Sequence, residues 1–220
     1  MAEPDHALPE LPAQAFHKLD TSDDADFYVQ ARLVTHIDDA ALAALTDFYR
    51  QTLPAGGDLL DLMSSWVSHL PPEVAYGAVT GHGMNAEELA ANPRLTRRFV
   101  QDINQDTALP LADGVFDGAM ICAGVQYLQR PVAVLSNVAR ALKPGAPLIV
   151  SFSNRCFPTK AVAIWRGLDG EGHARLVELY MHRAGFDHVE ISVLADGRTS
   201  DPITVVVGRT SATPAAGAQT

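Results

Sequence analysis

A chain of 220 residues with 47% hydrophobic and 19% charged residues has the length and composition of a single globular domain. Its 16 Lys and Arg against 26 Asp and Glu give a net charge of −10, which disfavours binding to the phosphate backbone of nucleic acid. No apolar run approaches the roughly 20 residues of a membrane-spanning helix, and the first residues do not resemble a signal peptide. The sequence therefore predicts a cytoplasmic protein that binds neither nucleic acid nor a membrane, and it leaves the oligomeric state open.

The cysteines and histidines indicate neither a disulfide framework nor a metal centre. Cys122 and Cys156 are the only cysteines, and two are too few for a disulfide-stabilised scaffold. The histidines form no His-x-x-x-His or Cys/His grouping of the kind that binds zinc. We therefore expect a reducing compartment and no metal site.

The N-terminal part of the chain is predicted to lie outside the main sheet. The first 25 residues combine prolines with an Asp-rich run, a composition that by itself buries little apolar surface, so an arm or lid is expected. A helix is predicted from Asp38 to Leu53, where apolar residues recur at near-helical spacing. The predicted division is an arm with a covering helix (1–56), an α/β domain (57–209) and a disordered tail (210–220).

Beyond Gly57, short apolar runs of strand character alternate with helical patterns, which predicts a largely parallel sheet covered on both faces. The predicted strands are Leu59–Leu62, Val74–Thr80, Arg98–Gln101, Phe116–Cys122, Leu148–Phe152, Val189–Leu194 and Ile203–Val207. The intervening helices are predicted over 85–91, 131–142 and 173–184. Because the segment between Leu194 and Ile203 is too short for a parallel crossover, the last strand is expected to run antiparallel.

Three short segments occur in an informative order along this α/β region. They are Leu109-Pro110-Leu111 leading to Phe116-Asp117, Arg140–Gly145 before a strand, and Ala184-Gly185-Phe186 before the final hairpin. Through them the chain resembles the class I S-adenosylmethionine-dependent methyltransferases, of the methyltransferase type 11 kind, from about Asp58 to Arg209. The resemblance implies a Rossmann-like, doubly wound α/β fold with seven strands, the last reversed, and S-adenosylmethionine as the cofactor.

The positions that should hold the cofactor depart from the family pattern. The family usually has a glycine-rich turn after the first strand, because glycine allows close approach of the backbone to a ligand. Here that turn reads Met63–Ser68 and contains no glycine. The family also places an acidic residue for the ribose at the end of the second strand, where this chain has Gly83. The glycine-rich loop is therefore degenerate.

Cofactor contacts are predicted among the residues that follow the strands, because ligands of such sheets bind beyond the carboxyl ends of the strands. Ser64 or Ser65 is expected to cap a short helix and to present hydroxyl and N–H groups to the carboxylate of the cofactor. The other contacts predicted there are Gly81 and Gly83 for close backbone approach, His82 for the ribose and Met84 for the adenine.

The end of the third strand supplies the adenine contacts that the resemblance implies. Asp102 matches the family's acceptor for the adenine amino group and Ile103 its apolar neighbour, with Asp106 as the alternative acceptor. Asp61 and Cys122, at the ends of the first and fourth strands, complete the predicted cofactor set.

Two residues are candidates for catalysis. His36 precedes the first long helix and is either a general base near neutral pH or a histidine satisfied by Asp38 or Asp39. Tyr127 follows the fourth strand and either lines the substrate pocket or caps the edge of the sheet.

Three further polar residues are predicted to bind the substrate: Gln126, Asn154 and Arg155. Arg155 offers a planar fork to a carboxylate or phosphate, or is paired with one of the many acids of the chain.

The leading hypothesis is an S-adenosylmethionine-dependent methyltransferase (a transferase) that acts on a small molecule. The alternative, supported by the degenerate loop, is a non-catalytic, methyltransferase-like binding or regulatory protein. Another Rossmann-like nucleotide enzyme is disfavoured, because no Gly-x-Gly-x-x-Gly follows the first strand.

Overall fold

The computed structural model describes residues 7–35 and 37–212, and its centre is one seven-stranded sheet. The strands are β1 (Leu59–Leu62), β2 (Val79–Gly83), β3 (Arg97–Val100), β4 (Gly118–Cys122), β5 (Pro147–Phe152), β6 (His188–Ala195) and β7 (Ile203–Arg209). Their spatial order is β3-β2-β1-β4-β5-β7-β6, and β7 pairs antiparallel with both β5 and β6 while the other pairs are parallel. The predicted fold class is confirmed, including the reversed last strand.

Helices cover the two faces of this sheet. They are α1 (Asp24–Phe27), α2 (Asp39–Thr52), α3 (Ala86–Ala91), α4 (Pro131–Ala141), α5 (Ala163–Arg166) and α6 (Gly170–Arg183). Successive side chains of a strand point to opposite faces, so Leu59 packs in the cluster with α2 while Leu60 packs in the cluster with α4 and α6. Strands buried on both sides read as continuous apolar runs, as the sequence of β5 does.

The second strand starts later than the sequence predicts. The apolar run from Val74 is not a strand, because its backbone is bound to the turn before β1: Ala75 accepts from the amide of Gly56, and Gly77 donates to the carbonyl of Gly57. The strand instead extends through Gly83, although glycine is unfavourable in strands. The position of the strand is therefore set by contacts that a local pattern does not contain.

The connection from β1 to β2 contains no helix, although residues 63–78 are all described by the structure. The turn after β1 is instead held against the end of β2. The amide of Met63 donates to Nδ1 of His82 at 3.2 Å, and the amide of Ser64 donates to the carbonyl of His82 at 2.6 Å. Met63 itself has a positive φ of 58°, the left-handed conformation that glycine would adopt without strain.

His82 connects three strand ends while remaining neutral. Its Nδ1 accepts from the turn after β1, so the proton is on Nε2, which donates to the carbonyl of Gln101 after β3 at 2.9 Å. The side chain is 1% exposed, and this burial lowers the pKa of His82 to about 4. A charged His82 would lose its acceptor nitrogen and the hydrogen bond from Met63.

The N-terminal segment is part of the hydrophobic core. Leu8 and Phe16 are fully buried in the cluster formed by α4 and α6, and the Phe16 ring lies 6.1 Å from that of Tyr180. The sequence predicts that this arm buries little apolar surface by itself. In the structure the sheet domain supplies the apolar partners against which Leu8 and Phe16 are buried. Residues 213–220, most of the predicted disordered tail, lie outside the described residues.

A buried cluster of charges fixes the segment that carries α1. Lys160 is 1% exposed, and its Nζ lies 3.2 Å from a carboxylate oxygen of Asp20 and 3.2 Å from one of Asp24. The same amino group donates to the carbonyl of Ser22 at 2.9 Å, and Lys18 donates to the other oxygen of Asp24. Two lysines and two aspartates balance in charge, which makes their burial tolerable.

We expect Lys160→Met to lower the free energy of unfolding by about 3 kcal/mol, because it leaves the buried carboxylate of Asp24 with one cation instead of two. Urea denaturation measures this loss. Lys143→Met is the matched control: the side chains of Lys143 and its partner Asp117 are 44% and 29% exposed, so solvent screens the pair and the loss should stay below about 1 kcal/mol. Equal losses in the two variants would contradict the importance of the buried cluster.

A second prediction concerns pH. The pKa of His82 is about 4 in the folded protein and about 6.5 in the unfolded chain, so the unfolded state binds more protons between these values. Stability that is complete above pH 6.5 is therefore lost as the pH falls to 4, by about 3 kcal/mol from this residue. His82→Gln should be less stable at pH 7, and its stability should fall less between pH 6.5 and 4 than that of the wild type.

Denaturation curves at several pH values give this difference directly. Asp61 changes in the opposite direction in both proteins, because burial raises its pKa to about 6, so the comparison isolates the histidine. His188→Gln, at an exposed position, should reproduce the wild-type profile. A pH profile of His82→Gln that parallels the wild type would show that His82 is not the neutral link described above.

Candidate active site

A cavity of about 570 Å³ lies beyond the carboxyl ends of β1 to β5, beneath residues 24–35 and Ile37 of the N-terminal segment. This is the place where ligands bind in open α/β sheets. Its lining includes the following residues that the sequence singles out: Ser64, Ser65, His82, Gly83, Met84, Asp102, Ile103, Cys122, Tyr127, Asn154 and Arg155. The structure thus gathers most of the predicted site residues around one space.

The other predicted site residues lie elsewhere. Asp61 is 3% exposed and lies beneath the turn after β1. Gly81 is in β2, where an added Cβ would lie 2.3 Å from a methyl carbon of Leu95, so packing explains the glycine better than a ligand does. Gln126 is 1% exposed and its amide donates to the carbonyl of Ala123, which turns the side chain away from the cavity. His36 lies outside the described residues.

The two serines after β1 do not cap a helix, because none follows them. Ser64 donates its hydroxyl hydrogen to Asp61 at 2.6 Å, and Ser65 donates to Glu88 at 2.6 Å. The predicted helix N-terminus is wrong, and both hydroxyls serve buried carboxylates. Burial raises the pKa of Asp61 to about 6, while the hydrogen bond from Ser64 opposes that rise.

The end of β2 serves the turn after β1 as well. An added Cβ at Gly83 would lie 2.6 Å from the carbonyl oxygen of Ser64, so the glycine is required by the turn itself. Both ring nitrogens of His82 are bound to backbone groups, which leaves no nitrogen for a ribose hydroxyl. Met84 lines the cavity with its half-buried side chain.

The end of β3 keeps an acceptor open to a ligand. Oδ1 of Asp102 accepts from the amide of Asn104 at 2.8 Å and from that of Gln105, whereas Oδ2 accepts no hydrogen bond from the described residues. Ile103 is 3% exposed and forms part of the cavity wall. Asp106 is exposed and does not line the cavity, so geometry favours Asp102 between the two alternatives.

The side of the cavity beyond β4 and β5 is mostly uncharged. The hydroxyl of Tyr127 accepts from the amide of Phe157 at 2.9 Å, and burial raises the pKa of Tyr127 to about 12. Burial likewise raises the pKa of Cys122 to about 11, so neither group is ionised at neutral pH. Asn154 is exposed at the rim, and Arg155 donates to Asp201 at 3.0 Å, as in the paired alternative.

Three cavity residues come from positions that the sequence does not single out as functional: Tyr28, Arg32 and Glu88. The spacing of Asn85 and Glu88 matches a capping box, but only the side chain of Asn85 caps α3. The Glu88 carboxylate instead accepts from the Arg32 amide at 2.7 Å and from Ser65. These contacts join residues far apart in the sequence, which is why no local signal predicts them.

The described residues contain neither a metal-binding group of side chains nor a membrane-spanning helix. No three or more of their histidine, cysteine, aspartate and glutamate side chains are grouped so that they could hold a metal ion. Within the same residues, no helix has the length and apolar character needed to cross a membrane.

The model of a family described as "Methyltransferase domain" matches residues 66–150. No curated protein matches the chain significantly. Several solved structures share its fold at low sequence identity. Phosphoethanolamine N-methyltransferase 2 of Haemonchus contortus, in complex with S-adenosyl-L-methionine, superposes with a TM-score of 0.56 at 14% identity, over 79% of this chain and 52% of that one. The chain therefore spans about half the length of that enzyme.

Two more structures are similar over most of their own length. A putative methyltransferase of Haloferax volcanii, in complex with the Trm112 methyltransferase activator, has a TM-score of 0.60 at 16% identity, over 80% of this chain and 92% of that one. The [4+2]-cyclase SpnF has a TM-score of 0.56 at 17% identity, over 77% and 81%. Residues 66–150 therefore match a methyltransferase domain, and the chain shares its fold with structures of S-adenosylmethionine-dependent methyltransferases.

Proposed function

We propose that the protein is an S-adenosylmethionine-dependent methyltransferase that acts on a small molecule. The observation that supports this most is the single cavity of about 570 Å³, which joins the ends of β1 to β5 and holds Asp102 with a free carboxylate oxygen. The volume is in the range of small-molecule sites. In this proposal the α/β domain (57–209) supplies most of the site, and residues 24–35 with Ile37 of the N-terminal segment cover it.

The residues present fit S-adenosylmethionine at both ends, although not through a glycine-rich loop. Asp102 and Ile103 would hold the adenine, as the family resemblance implies. Ser65, Trp66 and Val67 line the cavity, and their backbone amides have no acceptor among the described residues, so we assign these amides to the carboxylate of the cofactor. The predicted roles of Gly81 and of the His82 ring nitrogens in this binding are replaced by these amides.

Methyl transfer from S-adenosylmethionine requires few reactive groups from the protein. When bound, S-adenosylmethionine supplies an activated methyl group, so the chain needs mainly to bind, orient and exclude water. The buried, un-ionised Tyr127 and Cys122 fit a lining that excludes water. The Haemonchus contortus neighbour is named for a small amine substrate, and the negative charge of this chain also favours a small molecule over nucleic acid. Cysteines left free fit a cytoplasmic location.

One observation favours the second candidate function, a non-catalytic binding protein. The hydroxyls of Ser64 and Ser65 and the ring nitrogens of His82 are all engaged within the protein, so they are not free to replace the family's glycine-rich turn and ribose acid. The same fold also carries other chemistry, as the cyclase shows, and a fold alone does not determine activity.

Calorimetric titration with S-adenosylmethionine and S-adenosylhomocysteine tests cofactor binding. We expect binding near micromolar affinity, and Asp102→Ala should weaken it by roughly 1 to 3 kcal/mol because a hydrogen-bond acceptor of the cavity is lost. Asp106→Ala is the matched control, since this exposed carboxylate does not line the cavity, and its affinity should equal that of the wild type. No heat with the wild type up to millimolar ligand would refute the proposal.

A turnover assay separates the two candidate functions when binding is found. Release of S-adenosylhomocysteine on addition of the low-molecular-weight fraction of a cell extract is the result expected of a methyltransferase. Tight binding without any release would favour the non-catalytic alternative. If Asp102→Ala binds as tightly as the wild type, the adenine assignment is wrong even though the cofactor binds.

A further inference from the structure

Arg32 places a positive charge against the wall of the cavity. Its guanidinium carbon lies 4.5 Å from the ring centroid of Phe27, 5.6 Å from that of Phe157 and 5.9 Å from that of Tyr28. Arg32, Tyr28 and Phe157 all line the cavity. The three rings hold the guanidinium in place by cation–π attraction and restrict its access to water.

The hydrogen-bonding capacity of this guanidinium is largely unused. Nη2 donates to the carbonyl of Phe27 at 2.9 Å, but Nη1 is buried and has no hydrogen-bond partner among the described residues. A guanidinium carries five N–H donors, and leaving buried donors unpaired costs free energy. Arg32, a residue that lines the cavity, therefore carries one buried donor nitrogen without an acceptor among the described residues.

No acidic side chain of the described residues forms an ion pair with this cation, although acids outnumber bases in the chain by ten. The nearby Glu88 accepts from the backbone amide of Arg32, not from its guanidinium. The other arginine that lines the cavity, Arg155, is paired with Asp201. Arg32 is thus the arginine of this cavity whose charge remains to be balanced.

We propose that Arg32 binds the anionic group, a carboxylate or a phosphate, of the molecule that the protein methylates. The inference rests on the proposed function and deepens it by giving the chemical class of the substrate. A planar guanidinium forms two parallel hydrogen bonds with either group, and such charge-assisted bonds are stronger where aromatic rings exclude water. The carboxylate of the cofactor has other donors, the amides of residues 65–67, so Arg32 is left for the substrate.

The direct test titrates inorganic phosphate and benzoate into the protein without cofactor. Trp66 lines the cavity, whereas the other tryptophan, Trp165, is 3% exposed, so the fluorescence of Trp66 reports on the site. We expect Arg32→Met to weaken the binding of at least one of these probes about tenfold or more. The probe with the greater dependence on Arg32 distinguishes a carboxylate from a phosphate substrate.

Two matched variants control for the loss of an arginine. Arg94 also lies over an aromatic ring, that of Tyr76 at 5.5 Å, and donates to a backbone carbonyl, but it does not line the cavity. Arg94→Met should therefore bind the probes as the wild type does. Arg155→Met tests the competing assignment: if it loses probe binding while Arg32→Met keeps it, the proposal is overturned.

A comparison of S-adenosylhomocysteine with 5′-methylthioadenosine, which lacks the amino acid end, shows whether Arg32 binds the carboxylate of the cofactor or the anionic group of the substrate. We expect Arg32→Met to bind both with wild-type affinity. A tenfold loss for S-adenosylhomocysteine alone would assign Arg32 to the cofactor carboxylate and overturn the proposal. Since the phosphate and benzoate titrations need no cofactor, they remain decisive even if the proposed function fails.

A folding defect would not obscure the result. Thermal unfolding and 5′-methylthioadenosine binding show whether the cavity of Arg32→Met is intact. Arg32→Lys keeps the charge but not the fork, so it should lose less probe affinity than Arg32→Met while unfolding near the wild-type temperature. Wild-type probe affinity in both folded variants would overturn the proposal.

Discussion

Hydrogen bonds to His82 hold the turn after β1 in place beside the cavity, and much of the site depends on them. They require a neutral His82, which burial provides, and a glycine at position 83, because the carbonyl of Ser64 occupies the space of a side chain. They also require Met63 to adopt a positive φ. The side chain of Met63 in turn requires Gly124, where an added Cβ would lie 2.8 Å from that of Met63.

In this chain the turn after β1 is held in one conformation by its hydrogen bonds to β2, whereas the glycine-rich turn of the family has a flexible backbone. A glycine-rich turn approaches a ligand because glycine adopts many conformations, and that freedom is lost entropically on ordering. Here the turn is ordered by neighbouring strands, and the left-handed conformations of Met63 and Ala123 place some backbone strain beside the cavity. A ligand would find its hydrogen-bond donors already in position.

The sheet could be predicted from the sequence because strands such as β4, β5 and β7 are apolar and the helices have regular spacing. The reversal of β7 follows from the length of one loop, which is a local property. The start of β2 and the helix-free connection after β1 could not be predicted in this way. Both depend on contacts between segments, such as those of Ala75 with Gly56, that override the β-propensity of the Val74 run.

The site residues show the same difference between local patterns, which the sequence reveals, and long-range contacts, which it does not. Asp102 and Ile103 could be placed because they follow a strand within a recognisable pattern. Arg32 and Glu88 could not, because their contact spans 56 positions and the capping-box spacing of Glu88 points to the start of α3 rather than to the site. The serines and His82 instead use the predicted groups in hydrogen bonds within the protein, and Gly81 is explained by its packing against Leu95. Sequence reasoning identified the polar groups of the site better than it identified their partners.

The attachments of the N-terminal segment determine how a ligand would enter and leave. Lys160 holds one end through Asp20 and Asp24, and the other end is held where Asp38 and Asp201 exchange hydrogen bonds. Between these anchors, residues 28–35 bind the domain through a few contacts, including the indole of Trp66 with the carbonyl of Val34. Lifting this short span away from the cavity would therefore break only a few hydrogen bonds and leave the sheet intact.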